Sequence, residues 1–220
     1  MLVIKALFWF SLAALLWTHV LYPLAAAALA RVRTRRVAAR PIEPTVTVIV
    51  AAYNEEAVIE RRLENLLALD YPADKLELVV TSDASSDRTH ELVERFGDRV
   101  RLIVNPRGGK VAAQDRAVRE TSGEIVAFSD ANATWAPDAL RKLVANFADP
   151  EVAYVCGRLV LEAADGSNRE GVYWRYELVQ REAESRLGSI TGGNGSIYAV
   201  RRSDYVEVDP KWGHDLSFPY

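Results

Sequence analysis

Asp130-Ala131-Asn132 is the stretch whose residue types and spacing best suit ligand binding. It comes just after the apolar, strand-like run Ile125 to Phe128. A carboxylate and an amide two residues apart offer oxygen ligands to a divalent cation such as Mg²⁺ or Mn²⁺. In an open α/β sheet, ligands bind beyond the carboxyl ends of the strands. The stretch therefore indicates a metal site, and a polar turn at a strand end is the simpler alternative.

Two similar clusters follow the first and second strand-like runs of the chain. Tyr53 presents a ring on which a base can stack, and Asp83 presents a carboxylate that can accept the N3–H of a pyrimidine. Asn54, Glu55 and Glu56 also suit the cap and first turn of a helix, which is the plainer interpretation of those three. Three polar clusters on one edge of one sheet indicate a binding site more strongly than any cluster alone.

Three further segments carry candidate functional residues. Gly108-Gly109-Lys110 allows close backbone approach, and Lys110 adds a positive charge suited to phosphate, although the spacing of a Walker A loop is absent. The segment Gly192-Gly193-Asn194 carries no bulky side chain and could line a pocket for a flat or polyhydroxylated ligand. Asp215, beside His214, could act as a general base. The simpler alternative is a turn at a helix start for Gly108-Gly109-Lys110 and a plain loop for Gly192-Gly193-Asn194. For Asp215 it is a helix cap.

The elements that would position these residues alternate between β-rich runs and amphipathic helices. We predict strands over 46–52, 76–81, 100–104, 125–129, 153–162 and 196–200, and helices over 55–69, 86–96, 110–121, 138–147 and 169–187. Alternation at this spacing implies right-handed crossovers and a mostly parallel sheet flanked by helices. The fold class is therefore α/β.

An apolar run of 25 residues, Ala6 to Ala30, precedes this domain and contains no Asp, Glu, Lys or Arg. Such a run is long enough to cross a bilayer as one helix. Five arginines between Arg31 and Arg40 follow it, against the single Lys5 before it, which predicts a domain on the cytoplasmic side of the cell (inner) membrane. A cleaved signal peptide is the alternative, but the run is longer than the apolar part of a typical signal peptide.

The charge and cysteine content exclude several classes of function. The net charge is −3 and the basic residues cluster beside the apolar run, so a nucleic-acid-binding surface is not expected. Cys156 is the single cysteine of the sequence, which excludes an intrachain disulfide and a cysteine-based metal cluster. We predict a transmembrane anchor over 1–30, a basic linker over 31–44, where Pro41 and Pro44 disfavour a helix, and one globular domain over 45–220.

Taken in their order along the chain, the motifs resemble those of the family 2 inverting glycosyltransferases. The membrane-bound type, similar to cellulose, chitin and hyaluronan synthases, is closest. The resemblance spans about residues 45–220 and implies a GT-A fold, a nucleotide-sugar donor, usually a UDP-sugar, and a glycan or lipid-linked acceptor. The motifs that carry it are Tyr53-Asn-Glu55, Ser82–Asp87, Gly109-Lys110, Asp130-Ala-Asn132, Gly192-Gly-Asn-Gly195 and His214-Asp215.

The resemblance also implies a role for each matched position. It assigns Tyr53 and Asp83 to the base, with Glu55 beside them in the donor site, and Lys110 to the donor phosphates. It assigns Asp130 and Asn132 to the metal motif and Asp215 to removal of the acceptor proton. The glycine-rich residues Gly192, Gly193 and Asn194 are expected on the acceptor side.

Two features depart from the family pattern. Asn132 stands where the motif usually carries an aspartate, so we expect a weaker metal site. A QxxRW-type motif and later transmembrane helices do not occur in this sequence, so the glycosyltransferase domain is expected to be incomplete at its C-terminal side. A nucleotidyltransferase, a membrane-anchored nucleotide-sugar-binding protein without transfer and a secreted binding protein remain as alternatives.

Overall fold

The computed structural model of the chain describes residues 1–160 and 171–219, apart from the side chains of Val172, Tyr173, Asp215 and Leu216. By their internal contacts the residues form two units. One contains residues 37–159 and 192–219, and the other contains residues 1–36, 160 and 171–191. The predicted boundaries 1–30, 31–44 and 45–220 stay a prediction.

A six-stranded sheet forms the centre of the unit of residues 37–159 and 192–219. Its spatial order is β3-β2-β1-β4-β6-β5, with the first four strands parallel and β6 antiparallel to both of its neighbours. The predicted α/β architecture with a mixed, mostly parallel sheet is therefore confirmed. The strands are β1 Val46–Ala52, β2 Leu76–Asp83, β3 Arg101–Asn105, β4 Ile125–Asp130, β5 Tyr154–Cys156 and β6 Ile197–Arg201.

Helices cover both faces of this sheet. Apolar residues of α3, α4 and α6 pack on one face with Val48, Val50 and Val80, whereas α5 packs on the other face with Ile49 and Val79. The β-branched runs are buried on both sides, as in other parallel sheets. The helices of this unit are α3 Ile59–Leu67, α4 Thr89–Glu94, α5 Lys110–Arg119, α6 Ala139–Ala145 and α8 His214–Ser217, numbered after two N-terminal helices and with α7 given below.

The register of the central strands brings the predicted site residues to one edge. Ala51 of β1 pairs with Thr81 of β2 on one side and with Asp130 of β4 on the other. On the outer side of β2, Asp83 pairs with Asn105. The carboxyl ends of these four strands therefore coincide, as the sequence predicts for this fold.

Two helices begin later than predicted, because the loops before them bond to each other. The helix expected from residue 55 begins at Ile59, and the helix expected from residue 86 begins at Thr89. Asn54 has the left-handed φ of 56°, and its Oδ1 accepts the Ser86 backbone N–H at 2.8 Å. The Glu55 N–H is donated to Thr89 Oγ1 at 2.9 Å. Asn54 therefore joins two loops and does not cap a helix.

The other unit contains the apolar N-terminal segment and a long helix. The segment Leu2–Val32 comprises α1 Leu2–Leu16, a π-helical turn Trp17–Leu21 and α2 Tyr22–Val32, and it is long and apolar enough to cross a membrane. The helix α7, Val172–Leu187, packs on α2 through Ala26, Ala30 and Ala183. The predicted start of α7 at residue 169 and the predicted end of β5 at residue 162 lie outside the described residues.

The π-helical turn Trp17–Leu21 lies just before Pro23. Proline has no N–H to donate to the carbonyl four residues earlier, which is that of His19. The Tyr176 hydroxyl of α7 donates to this carbonyl at 3.0 Å. The buried Glu184 carboxylate also ties α7 to α2, since it accepts the Tyr22 hydroxyl at 2.8 Å. Its pKa is lowered, because hydrogen bonds from Thr191, Gln180 and Tyr22 outweigh the effect of burial.

Candidate active site

A cavity of about 300 Å³ opens at the sheet edge where β1, β2 and β4 end and α5 begins. It brings together all the residues that were predicted for the donor and the metal. These are Tyr53, Glu55, Asp83, Lys110, Asp130 and Asn132. Parallel strands in register, each ending in a polar cluster, are the physical reason for this convergence.

Asp83 lies buried at the wall of the cavity and is held by the loop that precedes α5. Its Oδ1 accepts the backbone N–H groups of Gly108 at 2.7 Å and Gly109 at 3.1 Å, and its Oδ2 accepts Nη1 of Arg107 at 2.8 Å. Gly109 has a φ of 90°, a conformation that favours glycine. Asp83 therefore fixes the glycine turn that starts α5, besides facing the cavity.

Arg107 is a cavity residue that the sequence analysis did not select. Its guanidinium carbon lies 3.5 Å from the centroid of the Tyr53 ring, while the same side chain pairs with Asp83. A planar cation on an aromatic face is a stabilising contact. Arg107 thus joins the two residues predicted to recognise a base. The sequence could have indicated Arg107, because it follows the carboxyl end of the third strand, and ligands bind beyond the carboxyl ends of parallel strands.

Asp130 is engaged by two donors from different parts of the chain. Its Oδ1 pairs with the ammonium group of Lys110, and its Oδ2 accepts the Ser196 hydroxyl at 3.0 Å. Ser196 also accepts the indole N–H of Trp135 through its backbone carbonyl, at 3.1 Å. Ser196 and Trp135 were not selected from the sequence. Ser196 stands at the amino end of the predicted strand 196–200, and this end reaches the site only because β6 runs antiparallel to β4. Trp135 carries no acid, base or metal-ligating group.

The oxygen atoms around Asp130 fit a divalent cation with part of its coordination supplied from elsewhere. Asp130, Asn132 and Glu55 line the same cavity. Burial raises the pKa of Glu55, and the charges of Asp130 and Asp87 raise it further, so negative charge is concentrated here. Among the described residues no three His, Cys, Asp or Glu side chains form a metal cluster. Mg²⁺ and Mn²⁺ sites of this kind take their other ligands from phosphate and water.

The glycine-rich segment Gly192-Gly193-Asn194 lies just before β6, and the Asn194 side chain forms hydrogen bonds within the fold there. Asn194 is buried; its Oδ1 accepts the Ser196 N–H at 3.1 Å, and its Nδ2 donates to the Gly157 carbonyl at 3.4 Å. Its amide is thus used within the fold. Gly192, Gly193 and Asn194 are not among the residues lining the 300 Å³ cavity. An acceptor-binding role for them stays a prediction.

Asp215 lies in the one-turn helix α8, and its side chain is outside the described part of the structure. The helix begins at His214 and its N-cap is Gly213, so the alternative that Asp215 caps a helix from residue 216 is wrong. The His214 ring is buried, with Nδ1 3.0 Å from the Tyr198 hydroxyl and Nε2 3.5 Å from Asp115 Oδ1. His214 therefore anchors the start of α8 in the core.

Comparisons with known proteins agree with this arrangement. The family model described as "Glycosyl transferase family 2" matches residues 47–208. A beta-monoglucosyldiacylglycerol synthase of Synechocystis sp. is 33% identical over 74% of this chain and 36% of its own length. The chain spans between 28% and 47% of the length of the first curated relatives that it matches.

Two solved structures show a similar fold with ligands in place. The mannosyltransferase PcManGT from Pyrobaculum calidifontis, in complex with GDP-Man and Mn²⁺, has a TM-score of 0.74 and 32% identity, over 93% of this chain and 60% of that one. Glucosyl-3-phosphoglycerate synthase from Mycobacterium tuberculosis, with Mn²⁺, UDP-Glc and glycerol 3-phosphate, has a TM-score of 0.52 and 25% identity, over 73% of this chain and 58% of that one. The GT-A-type sheet expected from the sequence is confirmed by these likenesses.

Proposed function

Because the chain belongs to glycosyl transferase family 2, we propose that it transfers a sugar, with inversion, from a nucleotide-sugar donor to a hydroxyl group of a glycan or lipid-linked acceptor. The observation that carries this proposal is the single cavity in which base-type partners, Tyr53 and Asp83, face phosphate- and metal-type partners, Lys110 and Asp130. A nucleoside diphosphate needs these two kinds of partner side by side.

The base would lie at the Tyr53 end of the cavity. The ring of Tyr53 is about half exposed and offers a stacking face, and Asp83 offers a carboxylate that can accept an N–H of the base. We propose a UDP-sugar as the donor, since the N3–H of uracil suits a single carboxylate. Arg107 covers the stacking face and pairs with Asp83, so its guanidinium has to shift when a base binds there.

The diphosphate would lie between Lys110 and Asp130. A bound Mg²⁺ or Mn²⁺ would neutralise the charge that develops on the leaving nucleoside diphosphate. Asp130, with Asn132 and Glu55 beside it, would hold that cation. Lys110 is paired with Asp130, and its ammonium would exchange the carboxylate for a donor phosphate.

The acceptor hydroxyl would lose its proton to Asp215. An alcohol is a weak nucleophile, so a positioned base has to take its proton as the oxygen attacks the anomeric carbon. One base and one stabilised leaving group are sufficient for inversion by single displacement. A glycosidase, by contrast, needs two positioned carboxyl groups. Anchoring of His214 in the core would fix the backbone next to Asp215.

The reaction products test the proposed function. We expect the detergent-purified full-length protein, given Mn²⁺, UDP-glucose or UDP-N-acetylglucosamine and a membrane lipid extract, to release UDP in an acceptor-dependent manner. GDP-mannose serves as the competing donor, because a GDP-sugar is bound by the mannosyltransferase relative. Release of pyrophosphate would show a nucleotidyltransferase instead, and donor binding without any product would show a binding protein.

We also infer that Leu2–Val32 anchors the domain at the cytoplasmic side of the inner membrane. The support is the charge asymmetry around the uncharged run Ala6 to Ala30, with five arginines between Arg31 and Arg40 after it and Lys5 alone before it. Protease added to sealed cells should leave the domain intact, and the same protease should digest it in cells opened by detergent. Digestion in the sealed cells would overturn this orientation.

A further inference from the structure

Arg62 of α3 is a buried cation placed directly behind the candidate site. It is only 1% exposed, and its polar partners are neutral, namely the Ser129 hydroxyl and the Asn65 amide oxygen. Burial lowers the pKa of Arg62 to about 10, an effect that the charge of Asp130 partly offsets, so the guanidinium stays protonated at neutral pH. Burial of a charge costs free energy, so the contacts that this arginine makes have to offset that cost.

Two chains of hydrogen bonds run from Arg62 to the two ends of the turn after β4. In the first, Nη2 of Arg62 donates to Ser129 Oγ at 2.6 Å, and the Ser129 hydroxyl donates to the Asp130 backbone carbonyl at 3.0 Å. In the second, Nη1 donates to Asn65 Oδ1. The Asn65 amide in turn exchanges two hydrogen bonds of 2.9 Å with the backbone of Trp135. The first and the last residue of the turn are therefore held by one guanidinium.

The contacts close into a ring around the turn. The Arg62 guanidinium carbon lies 5.0 Å from the centroid of the Trp135 ring. The indole N–H of Trp135 donates to the Ser196 carbonyl, and the Ser196 hydroxyl donates to the Asp130 carboxylate. The residues inside this ring include Asn132, which lines the cavity. The buried Arg62 side chain thus supports the turn that carries both candidate metal ligands, together with Ser196.

We propose that Arg62 is a positioning residue of the donor site, which fixes the Asp130–Trp135 turn from behind so that Asp130 and Asn132 face the metal and the diphosphate. The inference rests on the proposed function, because it concerns the geometry of the same site. Ligands have to be held within a fraction of an ångström to bind a cation well, and supporting hydrogen bonds supply that precision.

The test is replacement of Arg62 by methionine, an apolar side chain of similar length. The hydrogen-bond partners of Arg62 are neutral, so its removal leaves no opposite charge buried without a partner, and Ser129 and Asn65 keep their hydrogen bonds to Asp130 and Trp135. We expect the melting temperature of the full-length protein to change little, while the affinity for UDP in the presence of Mn²⁺ falls about tenfold, within the range for loss of a supporting residue. Isothermal titration in detergent measures the affinity.

Two further variants separate positioning from general stability. Ser129→Ala removes the hydroxyl that links Nη2 of Arg62 to the Asp130 carbonyl but leaves the second chain through Asn65. It should weaken UDP binding in the same direction but less, whether or not Arg62→Met folds. Thr47→Val is the matched control: Thr47 is also fully buried and hydrogen-bonded, but it lies at the far end of β1. It should lower the melting temperature without changing the affinity.

The outcomes distinguish this inference from the proposed function. Tyr53→Ala should weaken UDP binding if the donor occupies this cavity, by roughly 5- to 100-fold for loss of a stacking partner. Unchanged UDP affinity in both Arg62→Met and Ser129→Ala, with Tyr53→Ala impaired, would overturn the role of Arg62 alone. If Tyr53→Ala is unchanged as well, the proposed donor site is itself wrong.

Discussion

Replacement of Asp215 by asparagine is expected to lower turnover by roughly 10²- to 10⁴-fold, the usual contribution of a general base, while the affinity for UDP stays unchanged. Asparagine keeps the shape of aspartate but cannot accept a proton from the attacking hydroxyl. In the structure α8 begins at His214 with Gly213 as its N-cap, so Asp215 does not occupy the N-cap position. In the first turn of a helix asparagine could still replace aspartate with little loss, so retained activity in Asp215→Asn would indicate a structural role.

The measurement follows UDP release and UDP affinity in the same full-length preparation. Asp209→Asn is a suitable control, because Asp209 is an exposed acid of the same segment whose carboxylate accepts the local Lys211 N–H at 3.0 Å. Its turnover should match that of the unmodified protein. An Asp215→Asn protein that keeps most of its turnover would exclude Asp215 as the base.

Replacement of Asp130 by asparagine is expected to produce the second large effect, a fall of about 100-fold or more in Mn²⁺-dependent turnover. Asp130 is the only carboxylate of the Asp130-Ala-Asn132 motif, so the variant leaves two neutral amides where a cation needs charge. Loss of a direct ligand should exceed the 10- to 100-fold cost typical of a supporting residue. Paramagnetic resonance of free Mn²⁺ measures the accompanying loss of metal affinity.

Two variants of the same site should shift metal affinity in the opposite direction. Asn132→Asp adds a charged oxygen ligand and should tighten Mn²⁺ binding. Lys110→Met removes the cation that pairs with Asp130, so it should tighten Mn²⁺ binding and weaken UDP binding. If Asp130→Asn leaves Mn²⁺ affinity unchanged, or if Lys110→Met weakens it, Asp130 is not the metal ligand.

The sequence by itself determined the sheet and most of the cavity. Strand–helix alternation is a local pattern, and the carboxyl ends of parallel strands have to meet at one edge. Tyr53, Asp83 and Asp130 could therefore be placed together before any coordinates were known, and the cavity contains all three. The exact first residues of α3 and α4 could not be predicted, because the loops after β1 and β2 form hydrogen bonds with each other across about 30 residues of sequence.

Only the tertiary structure decided which side chains support the site. In the sequence Arg62 is one of several charged residues on an amphipathic helix, yet it is buried and braces the Asp130 turn. Arg107 and Ser196 gain their roles from contacts with Tyr53 and Asp130, which lie 54 and 66 residues away along the chain. Periodicity reports which face of an element is apolar, but it carries no information on which distant polar group a buried side chain meets.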